Sequence, residues 1–167
     1  MKQIKFNEKA FELLEQLMKG AFLTVKDKDG NLNTMTIAWG SLGYMWRKPI
    51  FITMVRYSRH TYKLIENSDN FTVSFPLNGQ LKEMLAFCGT KSGRDVDKFE
   101  SGEITPLNST IVETPVIKEC DLHLECKIVY KQPVDPQYFS EDITAIYGEE
   151  KDYHVLYYGE IVSCWLK

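Results

Sequence analysis

The residues best suited to hold a ligand lie where an apolar run ends, around Tyr57. The next residue is Ser58, and serine commonly caps a helix. The free backbone N–H groups at the start of a helix, together with its dipole, attract anions. Guanidinium and hydroxyl groups also bind phosphate oxygens. The segment therefore predicts either a phosphate site or an ordinary capped helix whose arginines are solvated. Its candidate residues are Arg56, Ser58, Arg59, His60 and Thr61.

A second candidate is the predicted strand from Asn33 to Gly40, in which small hydroxyl residues alternate with apolar ones. Such a strand offers backbone N–H and C=O groups, together with hydroxyls, beside a flat surface. It can therefore bind the edge of a planar heteroaromatic ring. Threonine and β-branched residues are also favoured in ordinary strands, so the pattern leaves both interpretations open.

A third candidate is the loop from Phe87 to Asp95, which contains two glycines, two hydroxyl residues and two cations. It lacks the G-x-x-x-x-G-K-[ST] order of a P-loop. No G-x-G-x-x-G motif opens a βαβ unit, so a dedicated dinucleotide-binding domain is not expected. Any nicotinamide donor would have to visit the protein transiently.

The elements that must position these residues are mostly predicted strands. An N-terminal helix is predicted from an N-cap at Asn7 to Gly20, because apolar residues recur at helical spacing between them. The Asp29-Gly30 step predicts a hairpin between its flanking strands. Short helices are expected near 59–67 and 80–88. The predicted strands before residue 100 are 22–26, 32–39, 49–57 and 71–75.

Two further strands are predicted near the C-terminus. From Asp121 to Ile128 apolar and polar residues alternate, which is typical of a half-solvated strand and predicts an exposed His123. The run from His154 to Trp165 is almost entirely apolar and is expected to lie centrally in a sheet, with His154 capping or hydrogen-bonded. The predicted fold is mainly β with peripheral helices, an antiparallel barrel.

Composition limits the possible functions. A chain of 167 residues with 44% hydrophobic residues can bury its own core, so one domain over residues 1–167 is predicted. The net charge of -3, with no basic tail, argues against nucleic-acid binding. No apolar run predicts a secretory signal or a membrane span. The four cysteines form no C-x-x-C pair, and the histidines have no metal-ligand spacing, so a cytoplasmic protein without a metal is expected.

Taken together, these segments resemble the flavin reductase-like family, most closely its flavoredoxin branch. They occur in the same order over about residues 7 to 163, nearly the whole chain. Each motif alone is loose, but the ordered set is specific. The matching segments are Asn33 to Gly40, Trp46-Arg47-Lys48-Pro49, Arg56 to Thr61, Phe71 to Pro76, Cys88 to Asp95 and Tyr158-Gly159-Glu160-Ile161.

The resemblance implies a split β-barrel, FMN-binding type, usually a homodimer with the flavin near the subunit interface. The isoalloxazine ring would lie against six residues, Thr34, Met35, Thr36, Ile37, Ala38 and Trp39. The phosphate would be held by Arg59, His60 and Thr61, with Lys91 and Ser92 adding to that end. The local pattern places Arg56 and Ser58 beside them.

The resemblance also leaves functions open. Reductases of the family often carry a Gly-Asp-His run, whereas this chain has Asp152-Tyr153-His154, so direct use of NAD(P)H is not implied and His154 is only a candidate catalytic residue. The expected function is an FMN-dependent oxidoreductase moving electrons from a reduced donor, NAD(P)H or a redox protein, to an acceptor. The alternatives are an electron carrier without NAD(P)H activity and a module for another phosphorylated or tetrapyrrole ligand.

Overall fold

The computed structural model describes residues 2–100 and 103–167, and these ranges contain ten strands and four α-helices. A short 3-10 helix, Pro136–Tyr138, precedes the last α-helix. In chain order the elements are β1 (Lys2–Gln3), α1 (Ala10–Leu17), β2 (Ala21–Lys26), β3 (Leu32–Ile37), β4 (Gly40–Met45), β5 (Lys48–Arg56), α2 (His60–Glu66), β6 (Asn70–Phe75), α3 (Lys82–Thr90), β7 (Pro106–Leu107), β8 (Val116–Ile117), β9 (Leu122–Pro133), α4 (Glu141–Tyr147) and β10 (His154–Leu166).

The main sheet follows the order β3-β2-β6-β9-β10-β5-β4, with β1 added to β10, and its ladders are antiparallel. The two end strands, β3 and β4, share no ladder within the described ranges, so the barrel is split on this side. The mainly β, antiparallel split barrel with peripheral helices is thus confirmed. The last strand also lies centrally, as predicted, because β10 pairs with both β5 and β9.

Two apolar clusters hold the site elements. The larger cluster fills the barrel and includes the fully buried side chains of Phe51, Phe71 and Tyr157. The smaller one packs α3 against the outside of β2, through Phe22, Met84 and Leu85. Because burial of apolar area is the main stabilising term in folding, this second cluster fixes α3 and the loop that follows it beside β3.

The hairpin is confirmed, since Thr24 of β2 pairs with Thr34 of β3. Both predicted helix caps are wrong. The first helix begins at Ala10, after a turn that includes Asn7. The second has Arg59 at its N-cap position, and the Ser58 hydroxyl donates to Asp152 at 2.5 Å.

The prediction that β9 is half-solvated is also wrong, because both His123 and Glu125 are fully buried. The segment between β7 and β8 covers this face of the sheet and places three backbone N–H groups on the Glu125 carboxylate, those of Thr110, Ile111 and Val112. His123 lies against the Trp165 ring at 4.1 Å and shares a hydrogen bond with Ser74. The alternation of apolar and polar residues therefore distinguished the two faces of β9, but a second layer of chain covers the polar face.

All four cysteines are buried and free. Within the described residues, no helix has both the length and the apolar character needed to cross a membrane.

Candidate functional site

Two adjoining grooves open beside the end of β3. We call one the flat groove, a cavity of about 190 Å³. We call the other the basic groove, a cavity of about 140 Å³ between α2 and the loop after α3. Met35 and Arg59 line both grooves, so the two form one continuous surface.

The flat groove has walls from three strands. The chain from Met35 to Trp39 forms one wall, and Met54 and Arg56 of β5 with His154 of β10 form the other. The last two residues lie side by side because His154 is opposite Arg56 in the β5–β10 ladder. The indole of Trp39 lies 5.3 Å from the His154 ring across the groove. Five of the six predicted ring-binding residues therefore line one surface.

Thr34, the sixth predicted ring-binding residue, lies outside both grooves. Its side chain is fully buried, and its hydroxyl donates to the Leu23 carbonyl and accepts from Thr24. Thr36 lines the flat groove, but its hydroxyl donates to the Leu85 carbonyl at 2.5 Å. What β3 offers a ligand is therefore its backbone and apolar side chains rather than free hydroxyls.

The basic groove is formed where the loop after α3 contacts the start of α2. Arg59 donates to the Gly89 carbonyl at 3.3 Å, and Arg94 donates to the Ser58 carbonyl at 2.8 Å. Gly93 permits this approach, because a Cβ there would lie 2.3 Å from Oδ1 of Asn33. Six of the predicted residues line this groove, namely Ser58, Arg59, His60, Thr61, Lys91 and Ser92. A seventh, Arg56, lies beside it at the end of β5.

His60 and Thr61 carry hydrogen-bonding atoms that the protein leaves available. His60 Nδ1 is buried and has no hydrogen-bond partner within the described ranges. Burial lowers the pKa of His60, and the nearby positive charges of Arg94 and Lys98 lower it further, so the ring is neutral at pH 7. The Thr61 hydroxyl accepts from the Asn33 amide at 2.8 Å and so keeps its proton for a ligand. An unpaired buried polar atom costs about 1–3 kcal/mol, so these atoms favour a hydrogen-bonding ligand.

Two basic residues of the groove, Arg94 and Lys98, were not among the predicted site residues. Arg94 belongs to the glycine-rich loop that the sequence singled out. Lys98 lies in a charged stretch with no distinguishing motif, yet it is only 3% exposed. Its ammonium donates to the Thr34 carbonyl at 2.7 Å and to the Cys88 carbonyl at 2.9 Å, and it thereby joins β3 to the end of α3. Burial lowers the pKa of Lys98.

Charge in the basic groove is one-sided. The lining residues in the described part of the chain include four basic side chains, Arg59, Lys91, Arg94 and Lys98, and no acidic one. The chain as a whole carries a net charge of -3, so this is a local concentration of positive charge. Such a concentration, with hydroxyls of Thr61 and Ser92, binds an anion such as a phosphate.

His154 sits at the outer rim of the flat groove, where the segment containing α4 returns to the barrel. Its Nδ1 lies 2.7 Å from the Tyr147 hydroxyl, so the prediction of a hydrogen-bonded histidine is confirmed. Burial lowers the pKa of His154 to about 4, and the Arg56 charge acts in the same direction. The segment is also held by Asp152, which accepts from the Ser58 backbone at 3.1 Å.

Comparison with known proteins shows the family and supports the fold. A model of the Flavin reductase like domain matches residues 19–167. A crystal structure of flavoredoxin from Methanosarcina acetivorans is 28% identical, with a TM-score of 0.67 over 89% of this chain and 68% of that one. The FMN-binding protein from Thermus thermophilus is 20% identical, with a TM-score of 0.66 over 89% of this chain and 71% of that one, and it shows the fold.

One curated relative, an uncharacterized protein of Archaeoglobus fulgidus, is 33% identical over 97 residues. The matched region is 58% of this chain and 54% of the relative, so the chain spans about half the length of that protein.

Proposed function

The chain belongs to the Flavin reductase like domain family, and on this basis we propose that it is an FMN-binding redox protein. It moves electrons from a reduced donor through the flavin to an acceptor. The observation that carries the proposal is the junction of the flat groove with the basic groove at Met35 and Arg59. A planar ring joined by a short chain to a phosphate has this combination of shape and charge. The Thermus thermophilus protein with the same fold is described as FMN-binding, which supports the choice of flavin.

The basic groove fits a phosphate. Arg59, Lys91 and Arg94 bring positive charge to its walls, and charged hydrogen bonds to phosphate are stronger than neutral ones. The buried, unpartnered Nδ1 of neutral His60 and the Thr61 hydroxyl each offer a further hydrogen bond. Internal hydrogen bonds already orient Arg59, Arg94 and Thr61, so little side-chain entropy of these three residues is lost when an anion binds.

The flat groove fits the ring. Met35, Ile37 and Trp39 supply apolar and aromatic surface, and the backbone from 35 to 39 supplies hydrogen-bonding groups. FMN, when bound, would supply hydride and single-electron chemistry, which no protein side chain can provide. Arg56 places a fixed positive charge beside the groove, and this stabilises a ligand that gains negative charge. No general acid or base is required of the protein for that step.

The electron donor is NAD(P)H or a reduced redox protein, and it visits transiently. The flat groove is open on the side of Trp39, whose side chain is 44% exposed, so a donor can approach without a binding domain of its own. Asp152 belongs to the Asp152-Tyr153-His154 segment, in which the chain departs from the Gly-Asp-His pattern of the reductases. Its carboxylate accepts hydrogen bonds from the backbone N–H and the hydroxyl of Ser58.

We also propose that the protein is a homodimer. α1 exposes Phe11 and Leu14 on one face, and Met18, the first residue after the helix ends, is 68% exposed. These positions follow the i, i+3, i+7 spacing of one helix face, and covering it would remove apolar area from water.

The proposal is tested by a visible absorption spectrum of the purified protein, recorded before and after FMN and then NADH or NADPH are added without oxygen. Flavin bands that stay with the protein on gel filtration and bleach with NAD(P)H support the reductase function. Bands that bleach only with dithionite favour an electron carrier. If FMN does not bind, the protein shares the fold but not the cofactor. Riboflavin is the matched control for the phosphate, because it has the same ring.

A further inference from the structure

The hydrogen bond between Tyr147 and His154 connects the proposed flavin site to α4, an element from which no described residue lines the flat groove. Both residues are 6% exposed, so water does not compete with their contact. The imidazole lines the groove, while the phenol stands behind it and packs against Phe139 with ring centroids 5.3 Å apart. The hydroxyl of Tyr147 therefore acts on a ligand through the histidine, to which it is hydrogen-bonded.

The chemistry of this pair determines which atom carries the proton. The imidazole is neutral, so only one of its nitrogens bears hydrogen. If Nδ1 carried it, the Tyr147 hydroxyl would accept, and its own buried proton would have no acceptor among the described residues. If the hydroxyl donates to Nδ1, no such unpaired proton remains. The second arrangement is favoured because an unpaired buried donor is costly.

The surrounding charges also favour a donating phenol and a neutral imidazole. The Arg56 guanidinium lies 5.4 Å from the centre of the Tyr147 ring, and Arg59 lines the same groove as His154. Both positive charges oppose an imidazolium, whereas the nearby carboxylate of Asp152 favours it but is hydrogen-bonded to Ser58. Burial raises the pKa of Tyr147, so the phenol keeps its proton. Tyr153 is a further titratable group beside the pair, with its ring centre 5.1 Å from that of Tyr147.

We propose that Tyr147 is a positioning residue, which holds His154 with hydrogen on Nε2 and so presents one hydrogen-bond donor to an acceptor atom of the ring in the flat groove. The identity of that ring as a flavin rests on the proposed function. The tautomer of His154 does not rest on it, because the Tyr147 contact is internal to the protein. The pair therefore adds specificity for a ring with an acceptor at its edge.

The first test measures the tautomer in the ligand-free protein. Two-dimensional long-range proton–nitrogen NMR distinguishes protonated from unprotonated ring nitrogens, and a His154→Gln variant assigns the signal among the three histidines. We expect hydrogen on Nε2 in the wild type and a mixture of tautomers in Tyr147→Phe. Tyr153→Phe removes a neighbouring hydroxyl that makes no contact with His154 and should leave the wild-type spectrum. Hydrogen on Nδ1 in the wild type would overturn the proposal.

The second test measures the dissociation constants of FMN and riboflavin for the same proteins. Tyr147→Phe should weaken both by the same factor of about 2 to 10, the usual effect of one neutral hydrogen bond. Arg59→Ala should weaken FMN more than riboflavin, because riboflavin has no phosphate. Unchanged affinities in Tyr147→Phe, with the fold shown intact by circular dichroism, would overturn the recognition role. If the wild type binds neither flavin, the proposed function fails, whereas the tautomer assignment is still decided by the NMR result.

Discussion

Lys98 offers a sharp test of how the basic groove is built, because one buried ammonium joins β3 to the end of α3. The substitution Lys98→Met keeps the length and apolar stem of the side chain but removes its charge. The carbonyls of Thr34 and Cys88 then lose donors that lie at 2.7 and 2.9 Å. The groove also loses one of its four basic side chains.

The expected magnitude follows from these contacts. An unsatisfied buried carbonyl costs about 1–3 kcal/mol, so two would cost about 2–6 kcal/mol. Removing a buried cation offsets part of this loss of stability, because the ammonium no longer has to be desolvated. We therefore expect the free energy of unfolding to fall by about 1–4 kcal/mol. FMN should bind more weakly, and riboflavin less so, because the lost charge lies at the phosphate end.

Urea denaturation measures the stability, and fluorescence titration with each flavin measures the affinity. Lys118→Met is the matched control, because the Lys118 side chain is exposed and the change should alter stability by less than about 0.5 kcal/mol. If Lys98→Met unfolds at the same urea concentration as Lys118→Met, the two hydrogen bonds contribute nothing to stability. An equal loss of FMN and riboflavin binding would show that Lys98 supports the whole site rather than its phosphate end.

Three other outcomes are expected. Arg59→Ala should weaken FMN binding by about 1–3 kcal/mol in a calorimetric titration, and an unchanged dissociation constant would remove Arg59 from the phosphate site. Burial lowers the pKa of His123 to about 4, so the unfolded state takes up more protons as pH falls through about 6.5. Stability to urea should therefore be full above pH 6.5 and decline towards pH 4, with a smaller slope in His123→Gln. Light scattering at micromolar concentration should give twice the mass of one chain, and Met18→Glu should shift the measured mass towards that of a single chain. A monomeric wild type would contradict the homodimer.

Much of the architecture could be predicted from local patterns. The Asp29-Gly30 step marked the β2–β3 hairpin because a tight turn needs residues that tolerate positive φ, and Gly30 has a φ of 89°. The apolar run of β10 marked a central strand, and β10 pairs with β5 along one edge and with β9 along the other. The ordered motifs indicated the family, and the family model matches residues 19–167.

The failures share one cause, which is that a second layer of chain changes the surroundings of a residue without changing its pattern. His123 and Glu125 alternate with apolar neighbours as exposed residues would, yet the segment around Thr110 covers Glu125, and His123 packs against the Trp165 ring. Ser58 is a residue type that commonly caps a helix, but Arg59 is the N-cap, and the Ser58 hydroxyl donates to Asp152, which is distant in the sequence. Contacts between such distant positions have no signature in a single sequence.

The sequence by itself determined the mainly β class, six of the ten described strands (β2, β3, β5, β6, β9 and β10) and many of the residues that line the two grooves, because period, turn chemistry and motif order are local properties. Only the tertiary structure decided which functional groups are free to act. It engaged the Thr34 and Thr36 hydroxyls internally and left His60 Nδ1 unpaired. It also brought the buried Lys98 beneath the basic groove and Tyr147 behind His154. These outcomes depend on long-range packing, which decides whether a polar atom meets water, protein or a ligand.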